Sequence, residues 1–488
     1  MPTSKAREHY LQGKILVLGA SGYIGSHLLP YLLAQNYQLR AACRHPENLP
    51  LADHHALERC HCNALDPQSL SNALQGVKQV IYLIHSMSDG KGYAERDRVA
   101  ARNLALAAHQ AGVEHIVYLG SLTADATRST HLRSREQTGE ALHSTGIKVT
   151  EIRAPIIIGP GSAPFEVIRD VVNHLPFGIL PKQMHSSSSP IALENLLAYM
   201  SATLDTPAMQ GLTLDIAGPQ KLSYVELMQA YADHLNKPFR SIVLPNIPIQ
   251  LMRLFVPLLT SAPPGIIRAL LGGLYHDIQS EPSLAQKLYP QQLLSLEQAF
   301  EQTDNYEAQQ QDSLSWYHGN MIYRLHNNRN AYYGEAIHVC HSAKATPAQI
   351  WQVLRKLGGH HGYYYLDLFW QMRGWIDRLF GGEGLRRYRE NPIELFSGEV
   401  LDNWLIKEAR REKRLFMQFL MRSPGAGCLE FSIDPEPDGH SRLSITAYWH
   451  PKGLWGRLYW ILFKPAHLIL FHGMIKTILK QAAKAPKP

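Results

Sequence analysis

The residues best suited to chemistry lie in a glycine-rich turn near the start of the chain. This turn follows a short apolar stretch at 14–18 and precedes a stretch with helical spacing. Glycines between a strand and a helix permit a tight turn, and they let backbone N–H groups approach an anion at the positive end of the helix. The turn therefore predicts a site for the diphosphate of a dinucleotide. The predicted contacts are Gly19, Ser21, Gly22, Tyr23, Ile24 and Gly25.

The end of the second predicted strand bears on which dinucleotide fits. An acidic side chain there binds ribose hydroxyls and selects NAD(H), whereas an arginine accommodates the 2′-phosphate of NADP(H). The strand ends at Cys43 and is followed by Arg44, and the first carboxylate after it is Glu47. We therefore expect Arg44 to contact the cofactor. NADP(H) is favoured, NAD(H) is the alternative, and a solvated loop arginine is the purely structural explanation.

Strand-like and helix-like segments alternate through the N-terminal part of the chain. Strands are expected at 14–18, 38–43, 79–84, 115–119 and 148–152, and helices at 26–35, 69–75 and 94–111. Strands that alternate with helices of this length form βαβ units and a doubly wound parallel sheet. The sequence thus predicts a Rossmann-type α/β fold, followed by helical, proline-punctuated segments from about residue 220.

The C-terminal part has a different composition, because all eight tryptophans lie between Trp316 and Trp460. A strand is expected at 335–345, and Thr346 and Pro347 are typical of the start of a helix. Further strands are expected at 402–407, 414–421, 428–433 and 442–450, before a long closing helix. This order predicts an α+β domain whose sheet wraps around one helix.

Several motifs together resemble the atypical short-chain dehydrogenase/reductases, and within them the NmrA-like group. The motifs are the glycine turn and the stretches 63–67, 80–86, 111–113, 118–121 and 153–155. The stretches 358–359, 368–370, 373–374 and 450–454 resemble instead a helix-grip (START-like, SRPBCC) domain of unknown function. The whole chain is similar to two-part NAD(P)-binding proteins of enterobacteria. The resemblance implies an NAD(P)-binding domain at 1–310, a linker at 311–332 and a helix-grip domain at 333–488.

The resemblance also implies cofactor contacts beyond the glycine turn. It places Asn63 near the adenine edge, and His85 and Ser86 beside the nicotinamide ribose. It places Ile156 beside the carboxamide. These roles follow from the family likeness and not from spacing.

The resemblance leaves the catalytic chemistry open. Reductases of this superfamily use a serine and a Tyr-x-x-x-Lys motif to polarise a carbonyl and pass a proton. Ser121 stands at the expected strand end, but His131 and Arg135 occupy the tyrosine and lysine positions. A histidine can donate a proton, and an arginine can hold ribose hydroxyls or a carboxylate. The alternative is that both side chains lie on a solvated helix surface.

Composition limits the remaining function classes. The net charge of +7 is spread along the chain, without a basic stripe interleaved with aromatic residues, so a nucleic-acid partner is not expected. The five cysteines are few and odd in number, which favours a reducing compartment. The Cys60-His61-Cys62 run lacks a second ligand pair, so no metal site is expected. The N-terminal residues do not resemble a signal peptide, and the expected location is cytoplasmic.

Two apolar stretches, 247–274 and 454–471, are interrupted by charged residues and prolines. They fall short of the roughly 18 uninterrupted apolar residues of a spanning helix, but they leave open a peripheral contact with the inner face of the membrane. The aromatic residues at 363–365, 369–370 and 375 suit a small hydrophobic ligand such as a quinone or lipid, with core packing as the alternative.

The leading hypothesis is an NADP(H)-dependent oxidoreductase acting on a small hydrophobic carbonyl or quinone-like substrate. Because His131 and Arg135 replace the usual tyrosine and lysine, the alternative is a catalytically silent NADP(H)-sensing or assembly protein. The sequence leaves the oligomeric state open.

Overall fold

The computed structural model describes residues 13–46, 49, 51–86, 92–122, 130–175, 177–245, 247–273, 284–309, 322–324, 329–379 and 381–486. These residues divide into two compact units. The first lies within Met1–Pro257 and Ala262–Leu314, and the second within Leu258–Ser261 and Ser315–Pro488. Most of the predicted linker, 311–332, lies outside the described residues.

The N-terminal part begins with alternating strands and helices. They are β1 (Lys14–Leu18), α1 (Tyr23–Leu33), β2 (Leu39–Cys43), β3 (Leu57–His61), α2 (Pro67–Ala73), β4 (Val77–Tyr82), α3 (Tyr93–Gln110), β5 (His115–Ser121), α4 (Thr130–His143) and β6 (Lys148–Ala154). The elements that follow are β7 (Ile157–Ile158), α5 (Ala163–His174), β8 (Phe177–Pro181), β9 (Ser187–Ser188), β10 (Ile191–Ala192), α6 (Leu193–Asp205), β11 (Thr213–Asp215), β12 (Leu222–Ser223), α7 (Tyr224–His234), β13 (Arg240–Leu244), α8 (Ile249–Leu259), α9 (Pro264–Gly273), α10 (Leu284–Leu288) and α11 (Leu296–Gln309).

Among the described residues, seven strands form one sheet in the order β11-β6-β5-β4-β1-β2-β3. Every pairing in this sheet is parallel. The central strands are buried along almost their whole length, as expected where helices cover both faces of a sheet. From β1 the chain adds strands on one side (β2, β3), and from β4 it adds them on the other side (β5, β6). A ligand is expected at the carboxyl ends of the strands where this direction changes, between β1 and β4. The predicted Rossmann-type parallel sheet is confirmed.

A buried ion cluster joins α5 to α11. The Arg169 guanidinium donates to both carboxylate oxygens of Glu307, over 2.6 and 3.0 Å, and to Glu166 over 2.8 Å. All three side chains are at most 9% exposed. A charge this deeply buried is tolerated only when it is paired, so the cluster holds the two helices in a defined position.

The second unit is built on an antiparallel sheet. Its described elements are β14 (Ile322–Arg324), β15 (Arg329–Ala331), β16 (Glu335–Ala343), α12 (Pro347–Leu354), α13 (Asp367–Leu379), β17 (Val400–Leu401), β18 (Trp404–Arg410), β19 (Arg414–Phe419), β20 (Gly425–Pro435), β21 (Ser441–Pro451) and α14 (Gly453–Ala482). Six of these strands pair in the order β16-β21-β20-β19-β18-β17. Thr346 caps α12 in a reciprocal capping box with Gln349. The antiparallel sheet is present as predicted, whereas its helix-grip assignment stays a prediction.

The closing helix α14 packs against β16, β21 and α12. It is the one helix of the described chain that is long and apolar enough to cross a membrane by length and composition. That test alone is weak evidence, because the core helix of a soluble protein also passes it. The first half of α14 exposes large apolar side chains, with Trp455 at 75% and Leu462 at 72% exposure.

Candidate functional site

The glycine turn is shaped by two close approaches of backbone to backbone. Gly19 has φ = +93°, and a Cβ there would lie 3.0 Å from the carbonyl carbon of Leu83. A Cβ on Gly25 would lie 2.6 Å from the oxygen of Gly19 and 2.7 Å from that of Ala20. A side chain is therefore excluded at both positions, and α1 begins directly against the end of β1.

The start of α1 is free of side chains that would compete with an anion. Gly22 is its N-cap, with no side-chain hydrogen bond to the helix, and the first turn contains no acidic residue. Gly22 and Ser21 are exposed, while Ile24 is buried in the core. Tyr23 is half-buried and packs edge-on against the ring of His27. The first N–H groups of a helix have no partner within it, so this turn fits a diphosphate through its backbone.

Arg44 lies at the same edge of the sheet as the glycine turn. β2 pairs with β1 in a register that matches Ala42 with Leu18, and the Gly19 N–H donates to the Ala42 oxygen over 3.1 Å. Arg44 follows β2 directly and its side chain is exposed. An exposed guanidinium beside the turn can reach an anionic group on a dinucleotide held there.

Asn63 stabilises its own loop. Its side-chain oxygen accepts the Leu65 N–H over 3.2 Å, and its backbone N–H donates to the Ser69 hydroxyl over 3.0 Å. Asp66 then caps α2 by accepting the Gln68 N–H. This loop follows β3 at the carboxyl edge of the sheet, so a flat ring could lie against it, but the Asn63 oxygen is already engaged within the loop.

His85 and Ser86 follow β4 and share a buried partner, Asp97 of α3. One Asp97 oxygen lies 3.2 Å from His85 Nδ1, and the other accepts the Ser86 N–H over 2.9 Å. Burial and the nearby charge of Arg135 lower the pKa of His85, although Asp97 opposes this shift. Burial alone would raise the pKa of Asp97, but its bonds to His85 and Ser86 hold that pKa below its usual value. At neutral pH the pair is therefore a neutral imidazole oriented by a carboxylate.

Asp97 was missed at the level of sequence, although a signal for it exists. It is 1% exposed and lies on the same face of α3 as Ala100, Ala101 and Leu104. A carboxylate at helical spacing from small apolar residues points into a core, where it needs a polar partner.

Ser121 and Arg135 are brought to the end of β5. Ser121 is the last residue of that strand and is half-buried. The Arg135 guanidinium donates to the Leu119 oxygen over 2.8 Å and lies over the ring of Tyr118, 5.4 Å from its centre. Arg135 therefore faces the sheet edge and not solvent alone. The backbone of His131 is in α4, but its side chain lies outside the described residues.

The remaining predicted contact and the nearby tyrosine are both engaged in the fold. Ile156 is buried and its oxygen accepts the Ile191 N–H over 2.9 Å. The Tyr118 hydroxyl donates to the Arg135 oxygen over 3.0 Å, and burial raises the pKa of Tyr118 to about 12. Among the described residues, no group of three or more His, Cys, Asp or Glu side chains is placed to hold a metal ion.

Two family models match the chain. Residues 19–155 match a family described as NAD(P)H-binding. Residues 328–474 match a family described as a protein of unknown function (DUF2867). The first match covers the glycine turn and every strand of the parallel sheet except β1 and β11.

Sequence relatives agree with the first match. The chain is 31% identical over 113 residues to sterol demethylase protein B of Methylococcus capsulatus, covering 22% of this chain and 34% of the relative. It is 28% identical over 151 residues to an NmrA-like family domain-containing oxidoreductase, flvB, of Aspergillus flavus, covering 30% of this chain and 48% of the relative. The match thus spans less than half the length of either protein.

A solved structure of triphenylmethane reductase from Citrobacter sp. complexed with NADP(H) is 22% identical, with a TM-score of 0.47. The match covers 59% of this chain and 99% of that protein. The family model supports an NAD(P)H-binding domain in the N-terminal part, and one relative with a similar sequence there is named as an NmrA-like oxidoreductase. The C-terminal part contains a DUF2867 domain.

Proposed function

We propose that this protein is an NADP(H)-dependent oxidoreductase that acts on a hydrophobic carbonyl or quinone-like substrate. The observation that carries the proposal is the glycine turn. Close backbone atoms exclude a side chain at Gly19 and Gly25, and no side chain caps the start of α1. The name of the relative from Methylococcus capsulatus refers to a sterol, and a substrate of that apolar kind agrees with the proposal.

Each residue at the sheet edge has a role in this proposal. The turn binds the diphosphate, and Arg44 pairs with the 2′-phosphate of NADP(H). The bound cofactor supplies or accepts the hydride. Ser121 donates a hydrogen bond to the substrate oxygen, and Arg135 screens negative charge that develops beside it.

The two histidines near the sheet edge have different roles in this proposal. His131, in the position of the family tyrosine, is the candidate proton donor. Burial and the charge of Arg135 lower the pKa of His85 and disfavour its protonated form, so His85 is not assigned as the proton donor. We assign His85, held by Asp97, the role of orienting the ribose side of the cofactor.

The choice of cofactor is tested by titrating NADPH and NADH fluorescence with the Arg44→Ala variant. Loss of a charge-assisted contact costs about 1.5–3 kcal/mol, so NADPH affinity is expected to fall roughly 10- to 100-fold, with little change for NADH. Arg240→Ala is the matched control. Arg240 is also exposed, but it belongs to β13, which is not part of the seven-stranded sheet. Equal loss for both nucleotides would refute the role of Arg44.

The second candidate is a protein that binds NADP(H) without turnover. It is favoured by two hydrogen bonds that give these side chains a role in the fold. The Tyr118 hydroxyl donates to the backbone oxygen of Arg135, and the Arg135 guanidinium donates to that of Leu119. NADPH oxidation measured with panels of aldehydes and quinones separates the two functions. Turnover that disappears in His131→Ala, with NADPH affinity kept, supports the enzyme. Unaltered turnover in that variant excludes His131 as the proton donor. Absence of turnover in the wild type favours a protein that binds NADP(H) without catalysis.

A further inference from the structure

The connection between β2 and β3 carries Arg44, and its described residues form no α-helix. Parallel strands are usually joined through a helix, whose backbone oxygens are bonded within the helix itself. The oxygens of this connection need donors from elsewhere, because backbone polar groups in folded proteins are almost always hydrogen-bonded. The source of those donors decides how firmly the connection, and Arg44 with it, is held.

Arg59 of β3 supplies three of these hydrogen bonds. One Nη atom donates to the backbone oxygens of Pro46 and Leu49, each over 3.2 Å, and the other donates to the oxygen of Leu51. The Arg59 side chain is 25% exposed, whereas its ion-pair partner Asp53, at 3.5 Å, is fully exposed, so that pair contributes little. A planar guanidinium presents its N–H donors in fixed directions, which suits it to hold several oxygens in one arrangement.

Apolar packing and a proline restrict the same connection. Leu49 is 2% exposed and belongs to the buried cluster that includes Cys43, the last residue of β2. Pro46 follows Arg44 by two positions, and its ring fixes its own φ and restricts the residue before it. Arg44 thus lies between the end of a strand and a proline whose oxygen is bonded to Arg59.

The Arg44 side chain itself is exposed, so only its backbone limits where its guanidinium can reach. Fixing a loop before a ligand binds strengthens binding, because less conformational entropy is lost in the complex. We propose that Arg59 is a positioning residue for NADP(H), which holds the backbone after β2 so that Arg44 meets the 2′-phosphate. The role of Arg59 rests on the proposed function, because it requires Arg44 to bind that phosphate.

The test is a double-mutant cycle on nucleotide affinity. NADPH and NADH fluorescence is titrated with the wild type, Arg59→Met, Arg44→Ala and the double variant. We expect Arg59→Met to weaken NADPH binding about tenfold and NADH binding by less than about twofold. In the Arg44→Ala background, Arg59→Met should change NADPH affinity by less than about twofold, because the side chain that it positions is absent.

The cycle separates failure of this role from failure of the proposed function. If Arg44→Ala keeps the wild-type preference for NADPH, the proposed cofactor contact is wrong and the role of Arg59 fails with it. If Arg44→Ala loses that preference but Arg59→Met does not, only the role of Arg59 is overturned. The same holds if the two losses add, since Arg59 would then act without Arg44.

Hydrogen exchange gives a readout that needs no nucleotide. The Leu49 N–H donates to the Pro46 oxygen over 3.3 Å, and the Leu51 N–H donates to the Leu49 oxygen over 2.8 Å. In Arg59→Met without nucleotide, a peptide that contains both leucines should exchange faster than in the wild type, as measured by mass spectrometry. Unchanged exchange would overturn the proposal, because the connection would not depend on the guanidinium.

Arg40→Met is the matched control. Arg40 belongs to the neighbouring strand β2 and also donates to backbone oxygens, those of Ala73 over 2.6 Å and Gln75 over 2.8 Å. These oxygens lie where α2 leads into β4, at the amino edge of the sheet. Arg40→Met should lower the melting temperature but keep the wild-type ratio of NADPH to NADH affinity. Loss of that ratio in this variant would show that destabilisation alone is responsible.

If Arg59→Met does not fold, Pro46→Gly provides an independent test. It releases the same backbone and leaves the Arg59 guanidinium in place. The constraint of one proline corresponds to about a two- to fivefold change in affinity, so NADPH binding should weaken by that factor while NADH binding stays the same. Equal NADPH affinity in Pro46→Gly and the wild type would overturn the proposal.

Discussion

Replacement of Gly25 by alanine tests the physical basis of the nucleotide site. Gly25 is in the first turn of α1, where Gly→Ala would ordinarily stabilise a helix by about 1 kcal/mol. Here the new methyl group would lie 2.6 Å from the Gly19 oxygen and 2.7 Å from the Ala20 oxygen. Both atoms belong to the backbone, so the clash is relieved only if the turn and the helix move apart by roughly 0.8 Å to reach ordinary contact.

The magnitude follows from two opposing effects. Overpacking of this kind costs about 1–3 kcal/mol, which equals or exceeds the gain in helix propensity. The net loss of about 0–2 kcal/mol is therefore expected to lower the melting temperature by at most about 8 °C, at roughly 2–4 °C per kcal/mol in a unit of this size. Displacement of the helix N–H groups removes charge-assisted bonds to phosphate, so NADPH affinity should fall about 10- to 100-fold.

The assay is NADPH fluorescence titration combined with thermal melting. Ser21→Ala is the matched control within the turn, since its exposed side chain is removed while the backbone is kept. If Gly25→Ala binds NADPH as tightly as the wild type does, the close contact of α1 with the turn does not form the phosphate site. A large loss in Ser21→Ala would show that a hydroxyl, and not the backbone, carries the binding.

Two further predictions concern stability. Burial lowers the pKa values of His27 and His115 to about 4, so stability present above pH 6.5 is lost as the pH falls toward 4. At pH 5 each histidine should lower the free energy of unfolding by about 2 kcal/mol. A midpoint of urea unfolding that is the same at pH 7 and pH 5 would contradict this. Glu307→Gln weakens the bidentate pair with Arg169 and should destabilise the N-terminal unit by about 3 kcal/mol in urea unfolding. Glu301→Gln, the same substitution at an exposed residue of the same helix, should be nearly neutral.

Much of the fold could be predicted from local pattern. The strand at Lys14–Leu18 was predicted to its exact ends, because a short apolar run stops at a glycine. The helix start at Thr346 was predicted from a capping box, which depends on residues three positions apart. By contrast, α13 was not predicted, although Leu368, Met372, Trp375 and Leu379 recur along it at helical spacing.

The placement of site residues was predicted less completely. The family likeness pointed to His85 and Arg135, but not to the contacts that engage them. Asp97 orients His85 from helix α3, and the backbone oxygen of Leu119 accepts a hydrogen bond from Arg135 at the end of β5. Such partners are distant in sequence, and single-sequence patterns report only neighbours within a turn or a strand.

The sequence by itself determined the alternation of strands and helices and the glycine turn. It also determined that an arginine, and not a carboxylate, follows β2. Each of these features depends on residues that are adjacent in the chain. Only the tertiary structure decided which polar groups are satisfied. It pairs His85 with Asp97 across two elements, and it leaves the Trp370 and Trp460 donors without described partners beside Arg373. Hydrogen-bond satisfaction depends on distances between atoms from separate elements, and packing alone sets those distances.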